Sequence, residues 1–337
     1  MEYNQTSLNI PKISVIIPNY NHAKFLGKRL ETALSQSYKN IEIICLDDDS
    51  TDNSLEIFNS YKDRGNFTMI KSNKNSGSPF IQWNKGVAIA RGEYVWIAES
   101  DDLAHFKFLD TLANRLDTNP KVGLAYCQSY FIDENDHVTG LHLKHLQKQH
   151  KYLWNNDFVF NGKEMLASHM AMINVIPNAS AVLFRKAVYE KAGGADNDLR
   201  LCGDWLIWSK MLLISDLAFV SRPLNYFRTH NSTVRSQIHR KFRYMTEYLE
   251  VLKFIHRNIE VSKRAKQRAA YHLKIRWLRL ALYEPREISI DGIRHIFQNS
   301  FRIFGFFEAI QFLLIGCISL VPFIHSTPFT VRTGNPK

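Results

Sequence analysis

Residues 92–102 read GEYVWIAESDD, and the fold turns on how that stretch ends. Tyr94 to Ala98 form a continuous apolar run, the pattern of a strand buried on both faces. Glu99, Asp101 and Asp102 then place three carboxylates within four positions, interrupted only by Ser100. Carboxylates that close repel one another and raise each other's pKa unless a metal ion, a basic side chain or solvent lies between them. Two upstream stretches are built alike. Ile13 to Ile17 run into Pro18-Asn19-Tyr20-Asn21, and Ile41 to Leu46 run into Asp47-Asp48-Asp49-Ser50.

Helical spacing separates these runs. Leu26, Leu30, Ala33 and Leu34 recur through Phe25–Ser35, and Leu55, Ile57 and Phe58 follow a cap expected at Thr51 or Asp52. NFTMIKSN reads as a short third strand and FIQWNKGVAIA as a helix. Strand and helix in alternation predict an α/β fold with a mostly parallel central sheet and flanking helices. Right-handed connections bring the strand ends to one edge, where such sheets bind ligands. The three polar strand ends are therefore expected in one crevice. There Glu99 and Asp101 can offer oxygens to Mg²⁺ or Mn²⁺, ions that need only one or two protein carboxylates when a substrate diphosphate completes the shell. No G-x-G-x-x-G follows the first strand and no P-loop pattern occurs, which excludes a dinucleotide fold and a P-loop site.

Farther along, VGLAYCQSYFID reads as a strand, NASAVLFRKAVYEKAGG as a strand entering a helix, and GDWLIWSKMLL as a helix with Asp204 at its start. Long basic helices are expected from Arg240 to about Tyr283, with Tyr248, Leu252, Ile255 and Ile259, then Leu273, Trp277 and Leu280, on their apolar faces. The 337 residues suit one large domain with an appendage. Four widely spaced cysteines point to a reducing compartment, and the N-terminus lacks the basic and apolar blocks of a signal peptide, so a cytosolic location is expected. Of the net charge of +11, most lies between Arg235 and Arg302, where 16 Lys and Arg face 6 Asp and Glu. Such a stretch is either a solvated helical face or a surface for the phosphates of lipid headgroups or nucleic acid. Ala309–Ile324 carries no charge over 16 residues, short of the roughly 20 of a spanning helix, and reads as a shallow membrane contact or a packing helix.

ISVIIPNYNHAKFLGKRLETALSQSYKNIEIICLDDDSTDNS, then GEYVWIAESDD, then CGDW, spread in order over Ile13 to Arg235, resemble the family 2 glycosyltransferases of GT-A fold, of the bacterial surface-polysaccharide type. The resemblance implies a catalytic domain over 1–235, with a nucleotide-binding half at about 10–110 and an acceptor half at 111–235, followed by a basic helical extension over 236–337. It places Pro18 and Tyr20 at the nucleotide base and Asp48 on the base ring. Asn84 stands in the family's Arg-Asn pair, with Trp83 in place of the arginine. Glu99-Ser100-Asp101 occupies the D-x-D position: Asp101 is the implied metal ligand, helped by Glu99 and Asp102, with Glu99 acting through water or on the ribose and Ser100 near the nucleotide. Asp204 takes the general-base position, with Gly203 where Glu is common. Arg228 and His230 are implied near the diphosphate, His230 also as a further metal ligand.

The implied activity is an inverting transfer of sugar from a UDP- or dTDP-linked donor to a saccharide or lipid-linked acceptor, on the inner face of the cell membrane, with an anionic membrane surface as partner. Two other classes compete with it. A non-catalytic nucleotide-sugar or nucleic-acid binding protein would use the basic helices, although no zinc-finger or RNP-type motif supports nucleic acid. A nucleotidyltransferase would also use acids and metal, but IIPNYNHAKF lacks the glycine-rich loop expected of one.

Overall fold

The computed structural model describes residues 11–147, 150–229 and 241–319. His230 and the final residues of the 309–324 segment lie outside them. The N-terminal half alternates as expected: β1 (Ile13–Asn19), α1 (Ala23–Leu34), β2 (Ile41–Asp47), α2 (Ser54–Tyr61), β3 (Phe67–Lys71), α3 (Pro79–Ile89) and β4 (Tyr94–Ile97). There follow β5 (Leu103–Ala104), α4 (Phe108–Asp117), β6 (Val122–Ile132), β7 (Val138–Leu141), α5 (Leu143–Gln147), β8 (Phe158–Phe160) and α6 (Gly162–Met165). The second half continues with β9 (Val182–Arg185), α7 (Lys186–Lys191), α8 (Gly203–Leu212) and β10 (Asp216–Arg228). Four helices close the described chain: α9 (Lys241–Asn258), α10 (Lys263–Tyr283), α11 (Ile290–Phe304) and α12 (Phe306–Ile318).

The sheet runs β3-β2-β1-β4-β9-β6-β10-β5. β3, β2, β1 and β4 are mutually parallel, and so are β6 and β10. Between them β9 lies antiparallel to both β4 and β6. Parallel order thus governs the half that carries the polar strand ends. The reversed β9 has a consequence of its own: it delivers the residues that lead into it, 178–181, to the edge where β4 ends.

Both faces of the sheet are covered, which is why its strands read as unbroken apolar runs. Ile13, Val15 and Ile17 pack with Leu26 and Leu30 of α1 and with Leu109 and Leu112 of α4. Ile16, on the opposite face by the two-residue period of a strand, joins Phe80, Trp83 and Val87 of α3 and Trp205 and Trp208 of α8. The C-terminal helices belong to this second core through Tyr248, Trp277 and Phe312. Their attachment is polar as well as apolar: buried Glu247 of α9 accepts hydrogen bonds from the backbone N–H groups of Arg200, Leu201 and Cys202 at 2.7–3.2 Å. One continuous packing therefore joins the sheet to the C-terminal helices.

No helix among the described residues is long and apolar enough to cross a membrane. α12 lies against its neighbours on one face, with Ala309 and Phe312 fully buried and Trp277 Nε1 donating to the Phe312 carbonyl at 2.8 Å. Its other face exposes Phe307 and Leu314.

Candidate active site

The parallel register sets Asn19 beside Asp47. Asn19 Nδ2 donates to Asp47 Oδ1 and to Ser50 Oγ, both at 3.1 Å, and Asp47 Oδ2 accepts from the Ser50 N–H. Asn21 and Asp49 adopt left-handed backbone at φ 54° and 66°, a conformation that Asn and Asp tolerate better than most residues. Asn21 closes the link by receiving the Thr51 N–H on Oδ1. Pro18 is buried in β1 and Tyr20 stands exposed beside this pair of tips. Asp48 is nearly buried, its carboxylate held by the Ser76 N–H and hydroxyl and by Gln82 Nε2.

At the third tip the structure answers the question raised by ESDD. Arg29, fully buried on α1, donates from Nε to the Glu99 carbonyl at 2.8 Å and from its terminal nitrogen to Ser180 Oγ at 3.2 Å. Arg228, also fully buried, donates from Nε to the Asp101 carbonyl at 2.6 Å and pairs with Asp136 at 2.5 Å. Arg29 thus stands under the three carboxylates, while Arg228 braces the backbone of the tip. Burial draws Arg29 down to about 10, opposed by the fields of Asp102, Asp101 and Glu99, so it stays charged at neutral pH. Burial and then the Asp101 charge push Glu99 up to about 8, and the same causes raise Asp102.

The three acids have different surroundings. Glu99 Oε1 accepts from Trp83 Nε1 at 2.8 Å. Asp102 faces inward, one oxygen on Asn178 Nδ2 and the other on the Arg228 N–H. Asp101 is half-buried at the tip. Ser100, implied at the nucleotide, is buried with its hydroxyl 2.8 Å from His22 Nδ1. Asn84 is not drawn into this grouping, because its amide is committed to Ala195, Asn197 and Tyr189. Arg228 likewise holds the loop from beneath rather than facing the crevice.

Asp204 begins α8 at the wall of a cavity of about 790 Å³. It is nearly buried; Oδ1 accepts from the Trp205 N–H at 2.7 Å and Oδ2 from Asn174 Nδ2 at 3.3 Å. Gly203 has a steric reason: a Cβ there would collide with the Phe80 ring, leaving no room for the glutamate common at that position. Two chain segments lead from the cavity to the acidic tip. Pro177 and Phe227 line the cavity, while the next residues, Asn178 and Arg228, hold Asp102. Asp204 and the acidic tip thereby lie near one edge.

Residues 14–178 match the Glycosyl transferase family 2 model. The chain belongs to glycosyltransferase family 2. Within the family it is 29% identical to the glycosyltransferase GlyG of Streptococcus pneumoniae over 221 residues, 62% of this chain and 70% of GlyG. A shorter match of 107 residues, at 36% identity, links 31% of the chain to 32% of the poly(ribitol-phosphate) beta-N-acetylglucosaminyltransferase TarP of Staphylococcus aureus. The crystal structure of S. aureus TarS with UDP-GlcNAc superposes with a TM-score of 0.67 at 17% identity, over 90% of each chain, which gives this glycosyltransferase the GT-A fold.

Arg29 and Glu247 escaped the motif-based reading. Arg29 had left a signal: it lies three residues after Leu26 and four before Ala33, on the stripe of α1 that faces the core.

Proposed function

We propose that this family 2 glycosyltransferase transfers a sugar from a UDP-linked donor to an acceptor hydroxyl, with inversion, using Asp204 as base. The adjacency of the Asp204 cavity to the Glu99–Asp102 tip carries the reading, since it sets a base beside a place for a leaving diphosphate. UDP is favoured because TarS is solved with UDP-GlcNAc and TarP is an N-acetylglucosaminyltransferase.

Asp204 takes the proton from the acceptor hydroxyl as that oxygen attacks the anomeric carbon. The bond from that carbon to the diphosphate oxygen breaks on the opposite side, and the electron pair leaves with UDP. Pro18, Tyr20 and Asp48 receive the base, Glu99 and Ser100 the ribose side. No group of three His, Cys, Asp or Glu among the described residues forms a metal cage. The donor set nevertheless fits Mg²⁺ or Mn²⁺, which take carboxylate oxygen and draw the rest of their ligands from phosphate and water. Asp101 would hold the ion with help from Glu99, and the ion would neutralise the departing diphosphate. Asp102, bound on both oxygens, keeps the tip in shape. We place the enzyme on the cytoplasmic face of the membrane, held by the basic C-terminal helices and the exposed edge of α12.

Calorimetry with UDP, dTDP and GDP, each with Mn²⁺ or EDTA, tests the donor side. UDP is expected to bind wild type in a Mn²⁺-dependent way and to lose that dependence in Asp101→Ala. Asp204→Asn should retain UDP binding while acceptor-stimulated UDP release falls by about 10²–10⁴-fold. Absence of any nucleotide binding to wild type would remove the transferase mechanism, and equal affinity in EDTA would remove the metal.

A further inference from the structure

The cavity that holds Asp204 has its second wall on the C-terminal extension. α10 contributes Arg276, Arg279 and Tyr283 to it, and α9 contributes Tyr244. We propose that Arg276 and Arg279 form an anion subsite, so that the acceptor carries a phosphate group close to the hydroxyl that Asp204 deprotonates. The proposal rests on the reading of Asp204 as the base.

Four observations support it. α10 carries seven Lys and Arg and no acid across Lys263–Tyr283. Its apolar side, Leu273, Trp277 and Leu280, is buried, which leaves positions 276 and 279 exposed, three apart and adjacent on the helix surface. The Arg276 guanidinium lies 5.0 Å from the Tyr244 ring centre, a contact that restricts its orientation at the cavity wall. Finally, some arginines of this protein are matched by carboxylates, such as Arg185 to Glu93, Arg228 to Asp136 and Arg243 to Glu247. Neither Arg276 nor Arg279 has such an ion pair among the described residues.

The two acids lining the cavity are Asp204, assigned to the proton, and Glu284, just past the end of α10. A neutral saccharide gives two guanidiniums little to bind. A phosphate matches the planar fork of each in charge and geometry. The lining includes Asp204 and omits the Glu99–Asp102 tip, which puts the two arginines on the acceptor side in this reading, and unchanged UDP affinity in their variants is the check. A volume of about 790 Å³ falls within the range of small-molecule sites. Two sources share the required chemistry: the phosphodiester of a polyol-phosphate polymer, and the diphosphate that joins a saccharide to a lipid.

The test uses the full chain and three probes followed by calorimetry: a glycerol-phosphate trimer, farnesyl diphosphate, and glycerol as the neutral control. Wild type, Arg276→Gln, Arg279→Gln and the double variant are compared, with UDP titrated into the same samples as a check on folding. One phosphate probe is expected to bind wild type, to weaken by about tenfold with each substitution and to weaken further with salt, while glycerol does not bind and UDP affinity is unchanged. Loss confined to the trimer assigns a polymer acceptor, and loss confined to farnesyl diphosphate a lipid-linked one. Equal affinity of both phosphate probes for wild type and the double variant, or no binding of either to wild type, overturns the proposal. Failure of UDP alone to bind wild type would remove the donor reading and leave the phosphate result standing.

Discussion

Arg29 shows how one side chain lets a strand end in acid. A buried guanidinium is costly alone and three crowded carboxylates are costly alone; together each offsets the other's desolvation. Arg29→Met leaves the acids without their counter-charge and is expected to lower stability by about 3–5 kcal/mol in urea denaturation. A loss below about 1 kcal/mol would mean that solvent does the screening. Motif reading located the carboxylates from their sequence but not this partner, because the distance from Arg29 to Glu99 is set by helix α1 crossing the sheet and not by any local pattern. The departures from the family pattern have a similar explanation. Trp83, where arginine is usual, hydrogen-bonds Glu99, where aspartate is usual, and Gly203 makes room for Phe80, whose ring centre lies 4.9 Å from that of Trp83. Each looked isolated along the chain, and in the fold they are neighbours.

Among the elements, β1 to β4 were legible because strand and helix alternate with clear periods, and α9 and α10 because their apolar faces recur at helical spacing. The antiparallel placement of β9 was not: a strand's sequence records which faces are covered, not its neighbour or direction. Nor does helical periodicity reveal that α9 supports α8 through Glu247. Helix α9 also carries His256, half-buried with its ring edge-on to Phe304 of α11. Burial, with Lys266 nearby, pulls His256 down to about 4, and burial with His150 does the same to His169. An unfolded histidine titrates near 6.5. Between these values the unfolded chain binds more protons than the folded one, so stability present above about pH 6.5 is lost as pH falls toward 4. His256→Leu should shrink the drop in melting temperature between pH 7 and pH 4.5; an unchanged drop would show that other groups govern acid unfolding.

At the scale of the whole molecule, the basic C-terminal third is fused to the catalytic sheet by a shared core, which changes how membrane attachment should be probed. Deleting everything after about residue 300 would remove Phe312 from beneath Trp277 and disturb the fold together with the surface. Substituting the exposed Phe306 and Phe307, which are 56% and 83% accessible, spares that core. Phe306→Ser with Phe307→Ser is expected to reduce sedimentation with anionic vesicles several-fold while melting temperature holds, as apolar burial at an interface predicts. Unchanged sedimentation would remove α12 from the membrane contact. The wall that α10 lends to the Asp204 cavity also imposes an order on synthesis. As the chain leaves the ribosome, the sheet, the acidic tip and Asp204 are all made before α10 emerges. Until then the Asp204 cavity lacks that wall, and with it the arginines proposed to hold an acceptor.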